Sequence, residues 1–166
     1  MQSLKSSENN VTQKFQEEVF FMQVREIMTK DIVMADINDT IIDVAKLMAH
    51  HNIGCIPVTE NGEKVLGVIT DRDIVVEMAT HSYDPYNTLA TEIMSNNVYH
   101  VRPDVDVKFA FDLMKKQQVR RLPVLDNGKI LGMLSLGDLA VAASKHQTEI
   151  SEALTEISMP NGPTNI

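Results

Sequence analysis

The chain of 166 residues has little of what marks several large classes of protein. Its single cysteine, Cys55, excludes an internal disulfide and fits a reducing compartment. No run approaches the roughly 18 to 20 apolar residues of a membrane span, and the N-terminal M-Q-S-L-K-S-S-E-N-N has no apolar signal core. The net charge of −8 argues against a general surface for nucleic acid or anionic membrane, which needs clustered lysine and arginine. We expect a soluble cytoplasmic protein.

The sequence also lacks the patterns that carry most enzyme chemistry. It shows no nucleophile paired with a base, no glycine-rich phosphate loop and no cluster of metal ligands. The adjacent His50 and His51 suggest a metal only superficially, because neighbouring helix residues do not face one another. Cys55 is interpreted as a small apolar residue, with redox sensing as the alternative. The sequence therefore predicts a protein that is not an enzyme and requires no cofactor.

What the chain does contain is an internal repeat. The run R-R-L-P-V-L-D-N-G-K-I-L-G-M-L-S-L-G-D-L at 120–139 matches G-C-I-P-V-T-E-N-G-E-K-V-L-G-V-I-T-D-R-D-I at 54–74. Each reads as an apolar strand, an Asn-Gly turn, a second apolar strand and a polar corner where a helix can begin, because Asn and Gly accept positive φ. Upstream, E-I-M at 26–28 recurs 66 residues later at 92–94, and after the turn the offset becomes 65. Two copies of about 50 to 60 residues fill most of the chain.

Each copy reads as short strand, helix, strand, turn, strand, helix. In the first copy we predict a short strand at 32–34, a helix capped by Thr40, strands at 56–59 and 65–69, and a closing helix from Ile74. The stripe that this first helix buries is predicted to consist of Ile41, Val44, Ala45 and Met48.

The second copy repeats this order, with a short strand at 98–101, strands at 122–125 and 130–134, and a helix from Leu139. The inward residues of its middle helix are predicted to be Val107, Ala110, Phe111 and Met114. Amphipathic helices outside the repeat are predicted from the spacing of Val11, Phe15, Val19 and Met22, after a possible cap at Asn10, and of Ile150, Leu154 and Ile157.

The repeat and its turn-rich joint suggest the domain boundaries. We expect an N-terminal extension with its helix at 1–22, a first domain at 23–80 and a second domain at 91–144. The linker at 81–90 includes H-S-Y-D-P-Y-N-T, and the C-terminal helix and tail occupy 145–166.

Two copies of x-I-M, h-h-P-V, a turn and G-h-h-[TS]-x-x-D resemble a pair of CBS domains, the Bateman module. The resemblance implies an α/β fold of two tandem CBS motifs, each a small mostly three-stranded sheet with two helices, packed by pseudo-twofold symmetry, here with extra N- and C-terminal helices. It further implies a stand-alone regulatory module that binds AMP, ADP, ATP or S-adenosylmethionine in the clefts between the motifs. A homodimer and a separate regulated partner protein are also expected.

The resemblance implies residues for a first ligand site. Asp138 would accept hydrogen bonds from ribose hydroxyls, and Ser135 would add a donor near the ribose or phosphate. Arg120 and Arg121 would reach phosphate as charge-assisted donors. The adenine would be enclosed by Met28, Val33, Ile53 and Met133.

A second site would repeat this arrangement in the other copy. Its polar residues would be Thr70 and Asp73, and its apolar residues Val68, Met94, Tyr99 and Val119. Gly54 and Cys55 stand where the first site has its two arginines, so the hold on phosphate should be weaker. Arg72, which comes just before the ribose aspartate, would compensate in part.

The same residues have plainer interpretations. Asp73 and Asp138 can be helix N-caps, and a cap can coexist with a ligand role. Arg120 and Arg121 can be a solvated pair, because strand alternation sends them to opposite faces unless the strand begins after both. The alternative function is a structural or interaction protein with empty clefts that dimerises through its terminal helices.

Overall fold

The computed structural model describes residues 22–146. The helices predicted from Asn10 and through Ile150 lie outside these residues. The elements in chain order are α1 (Val24–Ile27), β1 (Ala35–Asp36), α2 (Ile41–His51), β2 (Cys55–Glu60), β3 (Lys64–Thr70), α3 (Asp71–Thr80), α4 (Ala90–Ile93), α5 (Val107–Gln117), β4 (Arg121–Asp126), β5 (Lys129–Ser135) and α6 (Leu136–His146). This mixed α/β architecture confirms the predicted fold class.

Both predicted hairpins are present. The turn between β2 and β3 places Asn61 and Gly62 at φ of 56° and 71°, and the turn between β4 and β5 places Asn127 and Gly128 at 48° and 81°. These are left-handed conformations that Asn and Gly adopt at little cost. The first turn also contains Glu63, since Glu60 pairs with Lys64. That extra residue is the reason why the repeat offset falls from 66 to 65 after the turn.

The short strand of the first copy lies later than predicted. Residues 32–34 form no strand, and β1 begins at Ala35, whose partner on the parallel strand β2 is Val58. The Ile37 N–H continues this ladder by donating to the Thr59 oxygen at 3.1 Å. Pairing with β2 therefore fixes the strand position, and the apolar run before it does not.

In the second copy the strand predicted at 98–101 is reduced to a single bridge. Val101 pairs with Val124, and its N–H donates to the Pro123 oxygen at 3.1 Å. Pro103 stands 66 residues after Ile37 and has no N–H to continue the ladder. The first copy thus contributes three strands and the second copy two within the described residues.

The described chain divides into two compact units, each of which draws on both copies. Unit 1 comprises 22–29, 101–124 and 133–146, and unit 2 comprises 30–100 and 125–132. The strand order of the sheet is β1-β2-β3-β5-β4. Within unit 2, β3 meets β5 where Lys64 pairs with Lys129, and the Lys129 ammonium lies 2.9 Å from a Glu63 carboxylate oxygen.

The core of unit 2 forms around α2 and the first hairpin. Thr40 caps α2 as predicted, and Ile41, Val44 and Met48 are buried while Ala45 is half-buried. Complete burial of each large aliphatic side chain contributes about 1.5 to 3 kcal/mol. The other buried members of this cluster are Ala35, Ile56, Val58, Ile69, Ala90 and Ile93.

Unit 1 has its own buried side chains. Val107, Ala110 and Met114 of α5 are buried as predicted, whereas Phe111 is half-buried. Helix α6 packs on α1 and α5. The remaining buried apolar residues of the unit are Val24, Val101, Leu122, Val124, Leu134, Leu139 and Ala142.

The recurring E-I-M triplet has a local explanation. Glu26 accepts the Gln23 N–H at 2.7 Å, and Glu92 accepts the Leu89 N–H at 2.8 Å, so each glutamate stabilises the start of a four-residue helix. Each triplet ends on a methionine in extended backbone, Met28 or Met94, and each of these methionines belongs to one of the two predicted ligand sites.

Candidate ligand sites

Each of the two polar corners forms a capping box. At the start of α6, Asp138 Oδ2 accepts the Ser135 N–H at 2.7 Å and the Ser135 hydroxyl at 2.6 Å, and the Asp138 N–H donates to Ser135 Oγ at 3.2 Å. At the start of α3, Asp73 Oδ2 accepts the Thr70 N–H at 2.9 Å and its hydroxyl at 2.7 Å. The hydroxyl residue is therefore the N-cap, and the aspartate is the third helical residue. The interpretation of the aspartates as N-caps is therefore wrong about the cap residue, although both aspartates do stabilise a helix start.

The cap leaves part of each carboxylate available. Within residues 22–146, every hydrogen bond that the carboxylates of Asp73 and Asp138 accept ends on Oδ2, so Oδ1 keeps its acceptor capacity. Both aspartates are half-buried. A carboxylate of this kind can stabilise a helix start and still accept hydrogen bonds from a ligand hydroxyl.

Unit 1 gathers most of the first predicted site, hereafter the Asp138 site: Met28, Arg120, Arg121, Met133, Ser135 and Asp138. The Arg120 oxygen accepts the N–H of Leu136, the first residue of α6, at 3.0 Å. This bond holds the backbone of Arg120 at the helix start. Strand β4 already includes Arg121, so the condition that the strand begin after both arginines is not met. The two arginines are therefore not expected to share one phosphate group, and their contacts with a ligand stay predictions.

The methionines of this site are held by backbone pairing. Thr29 and Met133 exchange two hydrogen bonds, both of 2.9 Å, and this bridge fixes the residue after Met28 on β5. Met28 and Met133 are both half-buried, and their contacts with adenine stay predictions.

Unit 2 repeats this framework around the Asp73 site, which consists of Val68, Thr70, Arg72, Asp73, Met94 and Tyr99. Val68 and Ser95 exchange hydrogen bonds of 3.1 and 2.9 Å, as Met133 and Thr29 do in unit 1. The Gly54 oxygen accepts the Asp71 N–H at 3.2 Å, which matches the bond between Arg120 and Leu136. The backbones of the two sites are thus built alike, and they differ in their side chains.

Three predicted apolar residues lie in the other unit from the rest of their sites. Val33 and Ile53 are half-buried in unit 2, and Val119 is half-buried in unit 1. Ile53 and Val119 each follow a left-handed residue that ends a helix, Asn52 after α2 and Gln118 after α5. Their contacts with adenine stay predictions.

One charged residue at the Asp73 site was missed. A Cβ on Gly54 would lie 2.6 Å from Asp71 Oδ2, so the Asp71 carboxylate occupies the space where a side chain at position 54 would start. At the repeat offset of 65 that holds after the turn, Asp71 aligns with Leu136 of the second copy. Because Cys55 pairs with Thr70 on antiparallel strands, their chain neighbours Gly54 and Asp71 also lie side by side. This register follows from the predicted hairpin.

Comparison with known proteins identifies the family. A family model for the CBS domain matches residues 24–80 and 90–145. This chain belongs to the CBS-domain family. CBS pairs are regulatory ligand-binding modules, and the related proteins are generally regulatory rather than catalytic.

Three relatives show the extent of the similarity. CBS domain-containing protein YhcV of Bacillus subtilis (strain 168) is 38% identical over 138 residues, which cover 83% of this chain and 96% of YhcV. The CBS domain pair of protein MJ0100, solved with 5′-methylthioadenosine and S-adenosyl-L-methionine, has a TM-score of 0.68 at 26% identity and covers 76% of this chain and 99% of its own. Hypoxic Response Protein I, solved with two coordinated zinc ions, has a TM-score of 0.67 at 27% identity and covers 73% and 98%.

Among residues 22–146, no group of three or more His, Cys, Asp or Glu side chains is placed to hold a metal ion. The rings of His50 and His51 lie edge to face with centroids 4.8 Å apart. None of the described helices has the length and apolar character needed to cross a bilayer.

Two carboxyl groups outside the sites have shifted pKa values. The Thr40 hydroxyl, which donates to Asp43 at 2.6 Å in the capping box of α2, lowers the Asp43 pKa from its ordinary value. The Arg102 guanidinium, at 3.0 Å from Asp104, lowers the Asp104 pKa through its hydrogen bond. In both cases the hydrogen bond favours the charged form of the carboxyl group.

Proposed function

We propose that this CBS pair is a regulatory module that binds an adenosine-containing ligand, namely AMP, ADP, ATP or S-adenosylmethionine, and acts on a separate partner protein. The observation that carries the proposal is the carboxylate of Asp138. Its Oδ2 closes the capping box of α6, while its Oδ1 accepts no hydrogen bond within the described residues. The backbone bond from Leu136 keeps Arg120 at the same helix start.

This arrangement suits a ribose that carries a phosphate. A carboxylate oxygen accepts hydrogen bonds from ribose hydroxyls, and a guanidinium donates charge-assisted bonds to phosphate oxygens. The half-buried Met28 and Met133 supply soft apolar surface for a base. The adenosine part of the proposal is further supported by the related MJ0100 pair, which was solved with two adenosine-containing compounds. The proposal places the protein in the cytoplasm, a reducing compartment that suits a chain with one cysteine.

Calorimetric titration tests the proposal. AMP, ADP, ATP, S-adenosylmethionine and adenosine are titrated into the full chain, with the matching guanine nucleotides as controls. A ligand present at about 100 times its dissociation constant should stabilise the fold by about 2.7 kcal/mol, so a thermal melt gives a second readout. Absence of heat and of any melting shift with every adenine compound, in a protein that melts cooperatively, would contradict ligand sensing.

An interaction protein with empty sites is the second candidate, and exposed apolar side chains favour it. Helix α3 has no buried residue, and its Val75 and Val76 are 67% and 42% exposed. Val141 of α6 is 57% exposed. We propose that the chain forms a homodimer that covers some of these exposed apolar side chains. A dimer that binds no adenine compound would favour this second function over the first.

A further inference from the structure

The start of α3 differs from the start of α6 in the hydrogen bonds of its first N–H groups. The Asp71 N–H donates to the Gly54 oxygen at 3.2 Å, the Arg72 N–H donates to Asp71 Oδ1 at 2.7 Å, and the Asp73 N–H donates to Thr70 Oγ1 at 3.1 Å. All three leading donors of α3 are therefore occupied. A phosphate group at a helix N-terminus needs such donors to be free.

At the start of α6 the middle donor lacks the side-chain acceptor that its counterpart in α3 has. The Leu136 and Asp138 N–H groups donate to Arg120 and Ser135, as their counterparts do in α3. The middle donor belongs to Gly137, whose N–H has no side-chain acceptor among residues 22–146. A Cβ on Gly137 would meet only Ser135 Oγ, at 3.4 Å, so the backbone is open to close approach. Residue 136 is a leucine, which has no carboxylate to accept the Gly137 N–H as Asp71 accepts that of Arg72.

Side-chain charge reinforces the difference in backbone donors. The start of α3 carries one cation, Arg72, and two carboxylates, Asp71 and Asp73. The start of α6 carries one carboxylate, Asp138, and its first N–H is bonded to the backbone oxygen of Arg120, a cationic residue. The Asp71 carboxylate also lies directly over Gly54, the position from which Arg120 extends in the other copy. Coulomb repulsion from two exposed or half-buried carboxylates disfavours a phosphate and favours a neutral or positively charged group.

We propose that Asp71 determines specificity at the Asp73 site and makes it selective for adenosine compounds without phosphate, whether neutral nucleosides or sulfonium cations. This inference rests on the proposed adenosine-binding function. The Asp138 site takes the phosphate-bearing nucleotides, and the two sites of one chain therefore respond to different classes of adenosine ligand. Arg72 does not restore phosphate binding, because the negative charge of Asp71 on the adjacent residue opposes it.

The test exchanges the aligned residues of the two copies. In an Asp138→Ala background, which disables the other site, Asp71→Leu should raise ADP affinity at the Asp73 site at least tenfold and change adenosine affinity by less than about twofold. The reciprocal Leu136→Asp in an Asp73→Ala background should lower ADP affinity at the Asp138 site by a similar factor. Asp71→Asn separates the effect of the negative charge from that of the occupied N–H donor, since the asparagine amide oxygen can still accept the Arg72 N–H. The ADP affinity of this variant should lie between that of the Asp138→Ala parent and that of Asp71→Leu.

The readout is the ratio of ADP to adenosine affinity by calorimetry, with the melting temperature of each variant as a check on folding. An unchanged ratio in Asp71→Leu, with adenosine still bound, overturns the role of Asp71 and leaves the proposed function standing. Failure of the otherwise unmodified chain to bind any adenosine compound overturns the proposed function itself. If the Asp138→Ala background does not fold, Arg120→Ala provides a second background that leaves the capping box intact.

Discussion

Replacing Asp138 with alanine removes one side of a capping box and a proposed ligand contact in one step, and the two losses have separate magnitudes. The variant loses the hydrogen bonds of 2.7 and 2.6 Å that Oδ2 accepts from Ser135. Loss of these bonds should cost about 1 kcal/mol, the net size of a typical intramolecular hydrogen bond or helix cap. For a chain of this length such a loss lowers the melting temperature by about 2 to 4 °C.

The loss in binding should be larger. Loss of a charge-assisted hydrogen bond of about 1.5 to 3 kcal/mol weakens ADP binding by about ten- to a hundredfold. With ADP at about 100 times the dissociation constant of the unmodified chain, that chain gains about 2.7 kcal/mol, whereas a variant with about 30-fold weaker binding gains about 0.9. A thermal-shift assay should therefore show the ligand-induced stabilisation reduced by about two thirds.

The chain supplies a matched control in α2. Asp43 Oδ2 accepts the Thr40 hydroxyl at 2.6 Å and the Thr40 N–H at 3.3 Å, so Asp43→Ala breaks the same kind of capping box away from both candidate sites. This control should melt earlier but keep the full stabilisation by ADP. Two results would refute the reasoning: full ADP stabilisation of Asp138→Ala, or an equal loss of it in Asp43→Ala. The second would mean that binding depends on overall stability and not on the Asp138 oxygens.

Three further outcomes are expected. Gly67→Ala should destabilise the protein by about 1 to 3 kcal/mol in urea unfolding, because an added Cβ would lie 2.9 Å from the backbone oxygen of Ser95. Gly137→Ala, whose Cβ would meet no atom closer than 3.4 Å, should be neutral or stabilising, and an equal loss in both variants would contradict the steric argument. Since hydrogen bonds lower the pKa of Asp43 and Asp104 below the ordinary 3.8, the stability from these groups should be complete above that pH and disappear as pH falls below it. Thermal melts between pH 7 and 3 should show a smaller acid loss in Asp43→Asn than in the unmodified chain, and equal losses would remove Asp43 from the explanation. Light scattering at micromolar concentration should give twice the monomer mass, and a monomer mass would contradict the homodimer.

Features set by local chemistry were predicted well from the sequence. The Asn-Gly turns, the Thr40 cap and the buried stripe of α2 depend on residues within a few positions of one another, and the structure confirms them. The short strands depend on distant partners. The first is positioned by pairing with β2, and the second is cut short by Pro103, whose effect appears only when the partner strand is known.

The candidate sites show the same division. The Ser135–Asp138 and Thr70–Asp73 pairs lie three residues apart, so their association was visible in the sequence. The grouping of residues from both copies was implied only by the family resemblance, because it depends on the tertiary fold. Asp71 was not predicted because alignment of the two copies pairs Gly54 and Cys55 with the two arginines. It does not show that Asp71 lies beside Gly54 across the hairpin.

The capping boxes at the starts of α2, α3 and α6, each formed by a hydroxyl residue and an aspartate, bear on how the family signature is interpreted in other sequences. The aspartate of G-h-h-[TS]-x-x-D begins a helix by the same hydrogen bonds as Asp43, which has no part in either candidate site. Selection for folding alone therefore retains the aspartate, and a domain that has lost its ligand keeps the motif. Folding does not constrain the residues around the box in this way. Residues such as those at positions 54, 71, 120 and 136 here are therefore better indicators of which ligand, if any, a domain binds.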